Sequence, residues 1–395
     1  MKIKKYMDGH TGINFPSFFS DSGKNLQYFP QVRLPDNQIL LNEDTLCSIN
    51  GIPAPEIFKE LDLLVSWEAH PKNRQKKMNE YLSPLLHHIY KISSPFKFVL
   101  RKKGSENNTD SIIASVDYQT WNRAYNHLSA KRYTESYLSY DYFPKDSIAL
   151  LYYNNSNISG NDALKNQFDR FAEVFFQQVE QQGIKYLFID VSQNKGGSDL
   201  AHQSFYHYLR ADSYKVHMNV VAKKEGALKL YDDYYETTMK AVGKEKGSKL
   251  SRKAFEKKDP WVKNIIIPLI KKGKIERRYN NPSKNTGFKG KIFIIMGENT
   301  YSAGYDFCET SKRGSIGLLV GEEPGQRSPF CGNQVSDRLP ASGITFYYPT
   351  TYDWTGPVLP NKEGFLLPDI PYPLDRLLDI DDYKKIIEIS RERNL

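Results

Sequence analysis

Two hydrophobic rhythms divide the chain. Up to about residue 120, short apolar runs alternate with turns: Ile39–Leu41, then Leu46–Ile49 ahead of Asn50-Gly51. Apolar residues at helical spacing predict a helix over about 54–64 and a second over about 74–92. Strands are expected over 96–102 and 111–117, with Gly104–Asn108 as the hairpin loop between them. From about residue 146 the pattern changes. Ser147–Tyr153, Tyr186–Val191, Lys291–Met296 and Ile316–Val320 are near-continuous apolar runs, as expected of strands covered on both faces. Leu164, Phe168, Phe171, Phe175 and Val179 recur at helical spacing, with Asn161 placed to cap that helix and Gly183 to close it. Helices are also expected over 198–209 and from Ser302 through Ser311. This strand–helix–strand order predicts an α/β fold with a mostly parallel, mixed sheet covered on both sides.

Composition narrows the class. With 395 residues, 39% hydrophobic, 26% charged and mean hydropathy −0.60, the chain has ample core material and length for more than one domain. Its longest apolar runs, Ile292–Met296 and Ile265–Ile267, are far short of a membrane span. Met1–Asp8 is basic but has no apolar stretch after it, so no signal peptide is visible on the chain as given. Cys47, Cys308 and Cys331 form no Cys-x-x-Cys pair, which argues against a zinc knuckle or a disulfide framework; no metal or cofactor is expected. The net charge of +9 raises the question of nucleic acid. Residues 222–290 alone hold 19 Lys and Arg against 8 Asp and Glu, more than the whole excess, so the remainder is slightly acidic. That concentration reads as a solvated basic insertion with little periodicity before Trp261–Ile270. Without a recognition helix or zinc module, nucleic acid is not an expected partner.

Chemistry is expected where parallel strands end. Asn194-Lys-Gly-Gly197 follows the strand at 186–191, and paired glycines let the backbone approach a ligand and present bare N–H groups. Ser302 follows the strand at 291–296, flanked by Ala303 and Gly304 at the start of a helix. Taken singly, each has a plainer explanation: an ordinary strand-to-helix turn, and a helix N-cap serine. A serine hydroxyl also needs a base before it can attack an amide.

In sequence order, these motifs form a recognisable set. Asp190-Val-Ser-Gln-Asn-Lys-Gly-Gly197, then Thr300-Tyr-Ser302-Ala, Val320-Gly-Glu322, Leu339-Pro-x-Ser-Gly343 and Leu367-Pro-Asp-Ile370 resemble the carboxyl-terminal-processing (tail-specific) serine peptidase family. The resemblance spans about residues 8–375. It implies a sheet of the ClpP/crotonase-like type with an N-terminal PDZ-like module, here degenerate, suggested by Ser48-Ile-Asn-Gly51-Ile-Pro. The implied layout is a remnant segment over 1–30, the PDZ-like module over 31–120, and a catalytic domain over 121–375 with the basic insertion at about 211–288. A C-terminal helix over 376–395 follows.

The family has two catalytic styles. One pairs serine with a lysine in a Gly-Lys-Gly context; here Gln326 occupies that place in Gly325-Gln-Arg-Ser328. Glutamine cannot accept the serine proton, and the neighbouring Arg327 is permanently protonated. The other, tricorn-like style uses a histidine base in an Asp-Gly-His-Thr pattern, matched by Asp8-Gly-His-Thr11. The resemblance therefore implies Ser302 as nucleophile and His10 as base, an imidazole suited to that work at neutral pH. Glu363 is implied as the acid that orients the histidine, with Asp369 and Asp8 as alternatives. Backbone N–H groups of Ala303 and of Gly196 or Gly197 would form the oxyanion hole, and polypeptides would be the substrates. Relatives of this kind are often exported to the cell envelope, and many carry a helical region ahead of the histidine motif. Its absence suggests a truncated start and keeps a second reading open, a catalytically inactive peptide-binding relative.

Overall fold

The computed structural model describes residues 11–14, 27–30, 32–34, 38–65, 71–117, 119–121, 136–158, 162–209, 214–246, 251–259, 261–281, 287–341, 343, 345–355, 366–374 and 376–395. The chain forms two compact units, Met1–Ala130 with Asp337–Phe346, and Lys131–Ser336 with Tyr347–Leu395.

In the first unit a short strand β1 (Gly12–Asn14) precedes an antiparallel sheet. Its members are β2 (Leu40–Leu41), β3 (Asp44–Ile49), β5 (Phe96–Arg101) and β6 (Asn108–Ile113), in that order, with β4 (Ile52–Pro53) also paired to β3. Ile49 opposes Ile52 across a two-residue loop in which Asn50 and Gly51 both have positive φ, 48° and 83°. Asn-Gly favours this tight hairpin because both residues tolerate the left-handed region. Helix α1 (Ala54–Leu64) buries Ala54, Ile57 and Leu61, one helical face, and α2 (Pro71–His88) follows it. Ile49, Ile57, Leu61, Leu86 and Phe96 meet in the core of this unit.

The second unit is built on a six-stranded sheet. Its order is β16 (Ile370–Pro371), β13 (Leu318–Gly321), β12 (Lys291–Met296), β9 (Tyr186–Asp190), β8 (Ile148–Tyr153) and β7 (Leu138–Phe143). All neighbours are parallel except β7, which runs antiparallel to β8. The mostly parallel α/β sheet expected from the sequence is present. Alternation within the apolar runs sorts them between two cores. Leu151, Ile189, Ile294 and Leu319 face one side, under Phe168 and Phe175 of α3 (Asp162–Gln181), Phe205 of α4 (Gln203–Leu209) and Phe307 of α8 (Ala303–Arg313). Leu150, Phe188, Phe293 and Val320 face the other, under Tyr383, Ile386 and Ile387 of α9 (Ile380–Glu392). Asp379 caps α9 with a full capping box, accepting from the Asp382 N–H while Asp382 returns the bond. With helices on both faces, the carboxyl edge of the parallel strands is left for loops.

The basic segment departs from its expected character as a solvated insertion. It folds as β10 (Tyr214–Ala222), α5 (Lys224–Lys246), α6 (Arg252–Lys258), a π-helical turn at Val262–Ile266, α7 (Ile267–Lys272) and β11 (Lys274–Asn281). Leu230, Tyr231, Met239, Phe255, Val262 and Ile266 bury one another there with Val335 of β14 (Phe330–Arg338). Strand β10 pairs antiparallel with β11 on one side and with the distant β15 (Thr345–Thr355) on the other, and β14 pairs with β15. The order of this segment depends on partners more than a hundred residues away, which no local periodicity records.

Candidate active site

Three loops leave the carboxyl ends of the adjacent strands β9, β12 and β13, and they hold one another. Thr300 is fully buried; its Oγ1 donates to the Val191 carbonyl (2.9 Å) and accepts the Gly297 N–H (3.0 Å). The Gly325 N–H donates to the Thr300 carbonyl (3.0 Å), and Asn299 Nδ2 to Gln193 Oε1 (3.2 Å). A side chain on the middle loop is thereby positioned from both sides.

Ser302 occupies that middle loop, half-buried at the start of α8. Its backbone lies at φ 50°, ψ −121°, and its side chain makes no capping hydrogen bond to the helix. It is therefore not the N-cap serine that its position alone suggested. An L-residue in this region costs about 1–3 kcal/mol, and such strain persists only where surrounding contacts over-determine it. Four bonds do so here. The Tyr301 N–H donates to the Asn194 carbonyl (2.9 Å), Ser302 N–H to Gln326 Oε1 (2.8 Å), Gly304 N–H to the Tyr301 carbonyl (2.9 Å) and Asp306 N–H to the Ser302 carbonyl (2.9 Å). At about 1 kcal/mol net apiece, these bonds are enough to hold the turn. A strained serine on a sharp strand-to-helix turn is the geometry that exposes a nucleophilic hydroxyl.

The paired glycines come to the same place. Gly196 (φ +110°) lies so close to Ser302 that a Cβ on it would sit 2.5 Å from Ser302 Cβ and 3.1 Å from Oγ. A Cβ on Gly197 (φ +136°) would meet the Asn157 nitrogen at 2.3 Å. Asn194, fully buried, organises the turn. Its Oδ1 accepts the Gly196 N–H (3.0 Å), and its Nδ2 donates to the Tyr153 carbonyl (3.1 Å) and Ser156 Oγ (3.0 Å). Ser156 Oγ donates in turn to the Tyr153 hydroxyl (2.7 Å), whose own pKa burial pushes far up. With its N–H committed to Asn194, Gly196 supplies close approach and not a donor. The N–H groups of Gly197 and Ala303 have no partner among the described residues.

His10, Asp8 and Glu363 lie outside the described residues, which begin at Thr11, directly ahead of β1. Asp369, the alternative orienting acid, is engaged in structure: its carboxylate accepts from Lys312 Nζ (2.5 Å) and the Leu319 N–H (2.9 Å). His202 is buried between Tyr153, Tyr206 and Phe307, and burial pushes its pKa down to about 3. So weak a base is poorly suited to general-base work at neutral pH. Because its pKa falls on folding, the unfolded chain binds a proton that the native ring refuses. Stability is therefore undiminished above about pH 6.5 and declines as pH falls from there toward about 3, by up to about 1.4 kcal/mol per pH unit. His202→Phe, which suits the aromatic surroundings, is expected to flatten the fall in urea midpoint between pH 6.5 and 4. An unchanged slope would remove this assignment.

Among the described residues, no helix is long and apolar enough to cross a membrane, and no cluster of His, Cys, Asp and Glu could hold a metal. Ser156 and Tyr153, and the bracing role of Asn194, escaped the sequence reading because nothing local marks a side chain that braces a turn from beneath.

A parallel sheet carrying a strained serine beside a Gly-Gly turn at its carboxyl edge is an arrangement that suits a serine-type peptidase. Residues 158–330 match the model of peptidase family S41, to which this stretch is therefore similar. The matched stretch contains Gly196, Gly197, Ser302 and Gln326. No curated protein matches the chain. Among solved structures, mature CPAF is similar at 14% identity, covering 96% of this chain and 83% of that one, with a TM-score of 0.47. The photosystem II D1 C-terminal processing protease is similar at 11% identity, covering 93% and 78%, with a TM-score of 0.37. A putative S41 protease from Bacteroides fragilis gives 10% identity, 98% and 86% coverage, and a TM-score of 0.37.

Proposed function

We propose that the chain hydrolyses peptide bonds through Ser302, with His10 as the base that takes its proton. The hydroxyl attacks the scissile carbonyl, and the N–H groups of Ala303 and Gly197 receive the developing oxyanion. The protonated imidazole then donates to the leaving amine, and water releases the acyl group. Glu363 is the acid assigned to orient His10. The observation that carries the reading is the strained turn at Ser302, held in place while its side chain makes no capping bond to the helix. Extended polypeptides are the substrate class. On the same reading, 1–30 carries the base and 31–120 is a degenerate PDZ-like module, supported by the β3–β4 hairpin leading directly into α1. Residues 121–375 form the catalytic domain, of ClpP/crotonase-like type.

The test is labelling by a fluorophosphonate probe, with the modified residue located by peptide mapping. Ser302 is expected to carry the label. His10→Ala is expected to lower the labelling rate by on the order of 10⁴, and the wild-type rate to rise through about pH 6.5 as a neutral imidazole forms. Wild-type protein that binds peptides but neither labels nor cleaves them would instead be a binding relative.

A further inference from the structure

We propose that Gln326 is a positioning residue for Ser302. Its carboxamide oxygen clamps the serine's own N–H, holding the strained turn and withdrawing that N–H from the oxyanion site. The inference rests on Ser302 being the nucleophile.

The bond fixes the orientation of the amide. A backbone N–H can only donate, so Oε1 must face Ser302 at 2.8 Å and Nε2 must point away. Gln326 is fully buried, and among the described residues Nε2 has no hydrogen-bond partner. A buried amide left half-satisfied is destabilising, so its presence calls for a reason other than packing. The backbone beneath it has little freedom to relax. Gly325 donates to the Thr300 carbonyl, and a Cβ on Gly325 would meet the Glu298 carbonyl at 2.4 Å.

The chemistry asked of this position is narrow. It needs an acceptor long enough to reach Ser302 N–H, which excludes apolar side chains. It also needs an acceptor without charge, because a carboxylate here would oppose the negative charge that develops on the substrate oxygen. Glutamine meets both demands, whereas glutamate meets the first and methionine neither. With the Ser302 and Gly196 N–H groups both committed, Ala303 and Gly197 remain as the oxyanion donors.

The experiment measures the second-order rate of fluorophosphonate labelling at Ser302 from pH 5 to 9 for wild type, Gln326→Met and Gln326→Glu. Thermal unfolding confirms that each is folded. Gln326→Met is expected to label about 10²-fold more slowly at every pH, with KM for a peptide substrate within about threefold of wild type, because the turn loses alignment while the binding surface stays. Gln326→Glu is expected to lose at least about 10²-fold above pH 7, and its deficit relative to wild type should shrink as pH falls and the carboxyl protonates. Folded variants that label within about threefold of wild type overturn the proposal, as does a Glu-to-wild-type ratio that stays constant across pH. Failure of wild-type Ser302 to label would instead remove the nucleophile assignment, whatever Gln326 does.

Discussion

Ser302→Ala is expected to abolish probe labelling and to lower peptide cleavage by on the order of 10⁶, the scale seen when a serine peptidase loses its nucleophile. The same position carries a second signature. Because the Ser302 side chain makes no capping bond, alanine gives up no hydrogen bond to the helix, but it inherits the strained backbone. Ser302→Gly relieves that strain, about 1–3 kcal/mol. Against this stands the extra chain entropy of glycine, about 0.5–1 kcal/mol. Relief wins, so Ser302→Gly is expected to be inactive yet more stable than Ser302→Ala, by about 1 kcal/mol or 2–4 °C in Tm. Cleavage persisting in purified Ser302→Ala would sink the mechanism. A glycine variant melting below the alanine variant would show that the turn is not strained.

The next largest effect is expected at Gly196. An alanine there must hold φ near +110°, and its Cβ would press on Ser302 at 2.5 Å. Either the serine is pushed off line or the Gly-Gly turn lifts away from Asn194 and carries Gly197 with it. Misplacing a reacting group by about 1 Å costs about 10²-fold, and losing one oxyanion donor costs about 10²–10³. Gly196→Ala is therefore expected to lower kcat/KM by about 10³ or more. Gly183→Ala is the control, since that residue also has positive φ (+62°) but nothing within 4 Å of its would-be Cβ. It should lose about 1 kcal/mol of stability and no activity. Comparable activity losses in both variants would mean that strain, and not the approach to Ser302, is responsible.

Much of the architecture was legible because burial on two faces writes itself into the chain. Lys291–Met296 forms a strand with the expected bounds, and α1 spans the expected 54–64. Other ends moved. The strand expected at 111–117 lies at Asn108–Ile113, because pairing with Phe96–Arg101 fixes its register and apolar content does not. The helix expected over 74–92 runs from Pro71 to His88, and the one expected over 198–209 begins as a 3-10 turn at Asp199–His202. The basic segment was the largest miss. Its polar surface hid aromatic residues that bury one another: Arg252 lies over Tyr231 and Tyr235, 5.3 and 4.9 Å from their ring centroids.

For the site, the sequence by itself determined which residue types stood at the strand ends: a serine among small neighbours, two glycines, and a glutamine after the Gly321-Glu322 strand end. Those follow from short-range order along the chain. What Ser302, Gly196 and Gln326 do to one another was decided only by the tertiary structure. Parallel strands β9, β12 and β13 must align in register before loops separated by long stretches of chain arrive at one edge. Only then does the Ser302 N–H find Gln326, does Asn194 take the Gly196 N–H, and does a serine that local rules read as a helix cap become a strained turn whose side chain makes no capping bond. Hydrogen bonds act over about 3 Å in space and are indifferent to distance along the chain, so no local pattern in the sequence could have recorded them.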